Sequence, residues 1–178
     1  MSADLQDDAG TRIERATYRY SELSADSALL MELLNSEEVL GLFESYYKLL
    51  KIPMAIIDLQ ANVLLSSRWQ RICTGFHRVH LQTRLRCIES DTCLAMQLTA
   101  GTTYSNYFCK NGLMDCASPI YIEGRHAANF FIGQFFPAPP DEAFFRRQAA
   151  EFGFDADDYL AAVRDVPIVD EEKLPLIL

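Results

Sequence analysis

The chain has 178 residues, 49% of them hydrophobic and 23% charged, with a net charge of −9 at pH 7. That length is enough to bury one core without staples, so a single domain is expected. The acidic balance speaks against direct binding to a nucleic-acid backbone, which needs a surplus of Lys and Arg. No apolar run nears the ~20 residues of a membrane-spanning helix. Residues 1–10 lack a charged-then-apolar secretory pattern, so the expected location is the cytoplasm with no membrane contact. Five cysteines are an odd number, and reduced thiols are expected rather than a disulfide framework.

Residues 1–20 are polar and charged and read as a flexible arm. Helical spacing begins near residues 28–34. Ser36 followed by Glu37 and Glu38 offers a hydroxyl to free amides and carboxylates to the positive end of a helix dipole. Val39, Leu40, Phe43, Tyr46, Tyr47 and Leu50 then recur at three- and four-residue spacing. This predicts an amphipathic helix over residues 36–50, ended before Pro53. It is the expected dimer or signal-transfer element, the bland alternative being a helix that merely caps the sheet. Residues 54–59 and 63–67 are short apolar runs around Gln60-Ala61-Asn62, a hairpin buried on both faces. Asp58 is expected to cap it.

Residues 69–97 are mostly helical in pattern, with Cys73 and His77 four apart on one face. Residues 102–109 suit a strand, and Asn111-Gly112 tolerates the positive φ of a tight hairpin. Residues 113–122 return, Glu123-Gly124-Arg125 turns again, and residues 127–136 form a third strand. Pro137-Ala138-Pro139-Pro140 stops it, since proline cannot donate to the ladder. Asp141 caps a helix that Gly153 ends. Asp155 starts another, and from Asp170 one more begins. The order predicts an α+β, PAS-like fold. Its plan is a five-stranded antiparallel sheet with helices packed on one side and helical N- and C-terminal extensions. The sensory domain would span residues 21–172, and residues 173–178 would open an outgoing linker helix.

Two sets of residues carry the candidate chemistry. Cys73, His77, Cys87 and Cys109 are four soft ligands that suit zinc or an iron–sulfur cluster. They equally suit core thiols beside a buried histidine, or a redox pair. The second set lines a pocket. Strand parity puts Asn129, Phe131 and Gly133 on one face and Phe130, Ile132 and Gln134 on the other. A buried Gln134 amide needs a partner, so it is either a structural hydrogen bonder or the group that orients a ligand hydroxyl. Trp69, Phe76 and Tyr107 can wall an apolar cavity or simply pack the core. His80 and His126 are expected on the surface. There is no nucleophile elbow, phosphate loop or HExxH, so an enzyme is not expected.

Several words occur in one order: Ile72-Cys73-Thr74-Gly75-Phe76-His77-Arg78, Cys87-Ile88-Glu89-Ser90-Asp91, Cys109-Lys110-Asn111-Gly112-Leu113-Met114-Asp115 and Gly133-Gln134-Phe135-Phe136. With Ser118-Pro119-Ile120, Pro140-Asp141-Glu142, Tyr159 and Val166-Pro167 they cover about residues 35–172. On these the chain resembles the PocR sensory domain of bacterial signalling proteins. The resemblance implies a PAS-like sensor for small hydrocarbon derivatives such as short alcohols and diols. It also implies an attached output module, whether kinase, cyclase or DNA-binding regulator. A homodimer is the expected assembly. The chain departs from the family pattern at Cys93 and Cys116, so neither is a candidate for a shared role. The rival expectation is a metal- or thiol-based redox sensor built on Cys73, His77, Cys87 and Cys109.

Overall fold

The computed structural model describes residues 13–19, 21–98 and 103–177. Most of the expected arm lies outside these residues, but Ile13–Tyr18 is a strand, β1. Two helices follow, α1 (Ala25–Leu34) and α2 (Glu37–Leu50), then the hairpin β2 (Met54–Asp58) and β3 (Val63–Ser67). A π-helical turn, Cys73–His77, leads into α3 (Leu81–Gln97). The meander is β4 (Ser105–Phe108), β5 (Met114–Ile122) and β6 (Arg125–Phe135). The chain closes with α4 (Glu142–Phe152), α5 (Ala156–Arg164), a 3-10 turn and the short α6 (Leu174–Ile177).

The strands form one antiparallel sheet in the order β1-β3-β2-β6-β5-β4. The five expected strands are β2 to β6, and β1 adds a sixth on the β3 edge. Its sequence, IERATY, is too polar to announce a strand; pairing with β3 supplies what propensity does not.

The caps follow the residue chemistry. Ser36 accepts from the Val39 N–H, Asp141 from Ala143 and Asp155 from Asp158. Gly153 takes the left-handed conformation that ends α4, at φ 71. Asp58 closes the β2–β3 turn by accepting from the Gln60 and Asn62 backbone N–H groups at 2.9 and 2.8 Å. Its other oxygen accepts from Asn62 Nδ2 and from the Ser27 hydroxyl of α1, so one carboxylate ties helix to hairpin.

Helices cover both faces of the sheet rather than one. Met54 and Ile56 point to a core with Leu30, Leu34, Leu40 and Phe43 of α1 and α2. Ala55 and Ile57 point the other way, to Phe131, Leu98 and Trp69. The continuous apolar run of β2 is the cause: each face needs a cover. A third cluster joins the π turn to α4 and α5 through Ile72, Phe76, Phe145 and Tyr159.

One irregularity shapes the site. The register of β5 on β6 slips between Met114↔Phe135 and Asp115↔Gly133, leaving Gln134 unopposed. Gln134 takes φ 64 there, a left-handed conformation that a non-glycine residue adopts only under constraint.

Candidate functional site

A cavity of about 30 Å³ lies between the sheet and the segment from Trp69 to Asp91. Ala55, Ile57 and Phe131 form its sheet wall, and Trp69 closes one side. The π turn supplies Cys73 and His77, α3 supplies Cys87 and Asp91, and the turn before β5 supplies Cys109 and Leu113.

The π turn is closed by the Arg78 N–H donating to the Cys73 carbonyl at 2.9 Å, one residue wider than an α-helical bond. His77 is fully buried, and its Nε2 shares a 2.6 Å hydrogen bond with the Tyr159 hydroxyl. Its Nδ1 has no partner among the described residues. Burial, with help from the nearby Arg78 and Arg86 charges, lowers its pKa from 6.5 to about 3, so the ring is neutral.

Arg78 and Asp91 form a buried ion pair at 2.8 Å. The guanidinium also lies 4.4 Å from the Trp69 ring, a cation–π contact. Tyr107 donates to the other Asp91 oxygen at 3.4 Å. Among the described residues Asp115 accepts one hydrogen bond, from the Gln134 N–H at 2.8 Å. Burial, and next the Asp91 charge, raises the Asp115 pKa from 3.8 to about 7. Its carboxyl occupies the space above Gly133: a Cβ there would meet Asp115 Oδ1 at 1.8 Å. Gln134 Oε1 accepts the Gln70 N–H at 2.6 Å, which pins the start of the π turn to β6.

The thiols are neutral. Burial raises Cys73 and Cys109 well above their ordinary value, and Cys87 to about 11. Cys87 Sγ receives Asn111 Nδ2 at 3.2 Å, and Cys109 Sγ receives the Leu113 N–H at 3.4 Å.

Residues 32–178 match the family model described as the sensory domain found in PocR. The chain belongs to the PocR sensory domain family. No curated protein and no solved structure matches it. Membership makes the chain a sensor domain of signalling proteins. No helix among the described residues is long and apolar enough to cross a membrane.

Within this PocR domain the expected site residues divide. Cys73, His77, Cys87 and Cys109 do share one cavity wall. They do not converge: among the described residues no group of three or more His, Cys, Asp or Glu is placed to hold a metal ion. Trp69, Phe131 and Gln134 also line the cavity. Strand parity put Gln134 on the opposite face from Phe131; the bulge turns it to the same side. Phe76 packs edge-on against Tyr159 at 5.0 Å and Phe154 at 5.3 Å, in the α5 cluster away from the cavity. Tyr107 stands behind Asp91, and Asn129 is engaged by His126 Nε2–H, which donates to its Oδ1 at 2.6 Å. His80 and His126 are half-buried. Cys116 is buried in the α1/α2 core and Cys93 is exposed.

Sequence reasoning missed Arg78, Asp91 and Asp115 as wall groups. Asp115 carried a signal: a lone carboxylate between Met114 and Cys116 in an apolar strand. Arg78 and Asp91 carried none, because their pairing depends on how the π turn meets α3.

Proposed function

We propose that this domain detects a short polar molecule of the alcohol or diol type held in the cavity of Trp69, His77, Phe131 and Asp115. The observation that carries the reading is that His77 lines this cavity and its Nδ1 has no partner among the described residues. A buried ring nitrogen without a partner is costly, and a ligand hydroxyl would satisfy it. Asp115, with one donor of its own, would accept a second from the ligand. Trp69 and Phe131 would shield the carbon chain.

Volume limits the ligand. About 30 Å³ is room for roughly one or two water-sized groups, so a three-carbon ligand enters only as the wall yields, and a drug-sized one, which needs ~300 Å³ or more, is excluded. At a ceiling near 1.5 kcal/mol per atom, five atoms give about 7.5 kcal/mol. The dissociation constant is then no tighter than a few micromolar. Binding is favoured over catalysis because neutral thiols and a neutral His77 offer no activated nucleophile.

Occupancy would be relayed by the π turn, which Gln134 ties to β6 and Tyr159 ties to α5. Leu42, Tyr46 and Leu49 give α2 an exposed apolar stripe suited to a second copy or to an output module such as a kinase, cyclase or DNA-binding regulator. The setting for such a relay is the bacterial cytoplasm.

The chain has a single tryptophan, and Trp69 is on the cavity wall, so its fluorescence reports occupancy directly. Titration with two- to four-carbon alcohols and diols should move its emission saturably and raise the melting temperature. If no member of the series changes either signal, the reading is wrong.

A further inference from the structure

The groups around the cavity do not balance in charge. Two carboxylates, Asp91 and Asp115, reach the wall against one guanidinium, Arg78. Arg78 is committed to Asp91 at 2.8 Å, with 7% and 6% of the two side chains exposed. It is further fixed on the Trp69 ring. His77 is neutral, and so are the thiols of Cys73, Cys87 and Cys109. Tyr107 keeps its proton and turns its hydroxyl to Asp91. Asp115 is left with one backbone N–H and no ion pair among the described residues.

A buried carboxylate in this position can be discharged in two ways. It can take a proton or it can meet a cation. The first is half complete at neutral pH, since the group titrates near 7. The second needs a positive charge that no ion pair among the described residues supplies but a ligand could. Hydrogen bonds between ionised partners are shorter and about twice as strong as neutral ones, so the cation is the better occupant wherever Asp115 is ionised.

We propose that the cavity selects a short organic cation of the amino-alcohol class, its ammonium against Asp115 and its hydroxyl against His77 Nδ1. This rests on the reading of the cavity as the ligand site and adds the charge of the ligand to it. The Asp115 carboxyl, placed over Gly133 by the β5–β6 bulge, is the specificity determinant. The Arg78 charge also reaches Asp115, but burial and the Asp91 charge outweigh it.

The test is a set of Trp69 fluorescence titrations at pH 8 and pH 6, with 1-amino-2-propanol, 1,2-propanediol and lactate as matched cationic, neutral and anionic probes. The amino alcohol should bind about tenfold or more tighter than the diol at pH 8. The advantage should shrink at pH 6, where Asp115 holds its proton. Asp115→Asn should abolish the preference, bringing the amino alcohol's affinity down to that of the diol or below it. Should that variant fail to fold, calorimetry on the wild-type protein in two buffers of different ionisation heat gives the same answer. At pH 7 the amino alcohol should displace about half a proton and the diol none, since Asp115 titrates at about 7. Equal or tighter binding of the diol, or a preference for lactate, overturns the inference and leaves the cavity reading in place. No response to any of the three probes overturns both.

Discussion

Arg78 and Asp91 are thirteen residues apart in sequence and meet at 2.8 Å with both side chains buried. The pair fastens the end of the π turn to α3, which is one wall of the cavity. Buried pairs gain little over an apolar replacement, but losing one partner strands the other charge. Arg78→Met or Asp91→Asn alone should therefore cost about 3–5 kcal/mol. The double variant should cost clearly less than the sum. Urea unfolding of the four proteins measures this. Costs that add within about 0.5 kcal/mol would mean the two groups are not coupled.

Gly133 and Gly41 should respond in opposite directions to the same substitution. A Cβ at Gly133 would lie 1.8 Å from Asp115 Oδ1, held there by the Gln134 N–H. Gly133→Ala should destabilise by about 1–3 kcal/mol, the usual cost of overpacking. Gly41 is inside α2 with nothing within 4 Å of the added carbon. Gly41→Ala should stabilise by up to about 1 kcal/mol through helix propensity. Denaturation midpoints decide both, and a harmless Gly133→Ala would show that the Asp115 carboxyl is not fixed over the strand.

Much of the fold was legible because its signals are local. Ser36, Asp141 and Gly153 mark helix ends by chemistry that acts within one turn. Asn111-Gly112 marks the β4–β5 hairpin, with Gly112 at φ 94. The apolar run of β2 stated burial on both faces, and the structure covers both. The site was half legible. Period-two alternation placed Phe131 correctly and failed at Gln134, because one extra residue in a strand reverses every later side chain. Helical spacing grouped Cys73 with His77, but the wider π turn sends His77 to Tyr159, eighty-two residues on. The Arg78–Asp91 pair and the lone Asp115 are products of tertiary packing, which no window of sequence contains.

Thiol reactivity separates the ligand-binding reading from a redox one. Cys93 is exposed, whereas Cys73, Cys87 and Cys116 are buried and Cys109 is half-buried. Burial holds Cys87 at about 11 and Cys116 at about 12, far from thiolate at neutral pH. A disulfide reagent added to the native protein at pH 7 should modify one thiol quickly and the rest only as the protein opens. After unfolding, all five should react. Rapid modification of Cys73, Cys87 or Cys109 in the folded state would contradict this and revive a thiol-based sensor.

Asp115 and His77 should bend the pH dependence of stability in opposite senses. The Asp115 pKa rises from 3.8 unfolded to about 7 folded, so between these values the native state holds the extra proton. Its contribution to stability is complete below about 3.8 and is lost as pH rises toward 7. His77 falls from 6.5 to about 3, so between these values the unfolded state holds the extra proton. Its contribution is lost as pH falls through that window. Each slope approaches about 1.4 kcal/mol per pH unit, and in the wild-type protein the two oppose each other between about pH 4 and 6.5. His77→Gln should expose the Asp115 slope, with stability falling as pH rises. Asp115→Asn should expose the His77 slope, with stability rising. Asp91, also raised by burial, contributes to both variants with the sign of Asp115, so the difference between them is the quantity to measure. Urea unfolding of the two variants from pH 4.5 to 6.5 supplies it. Parallel profiles would mean that neither group is perturbed in the way its burial implies.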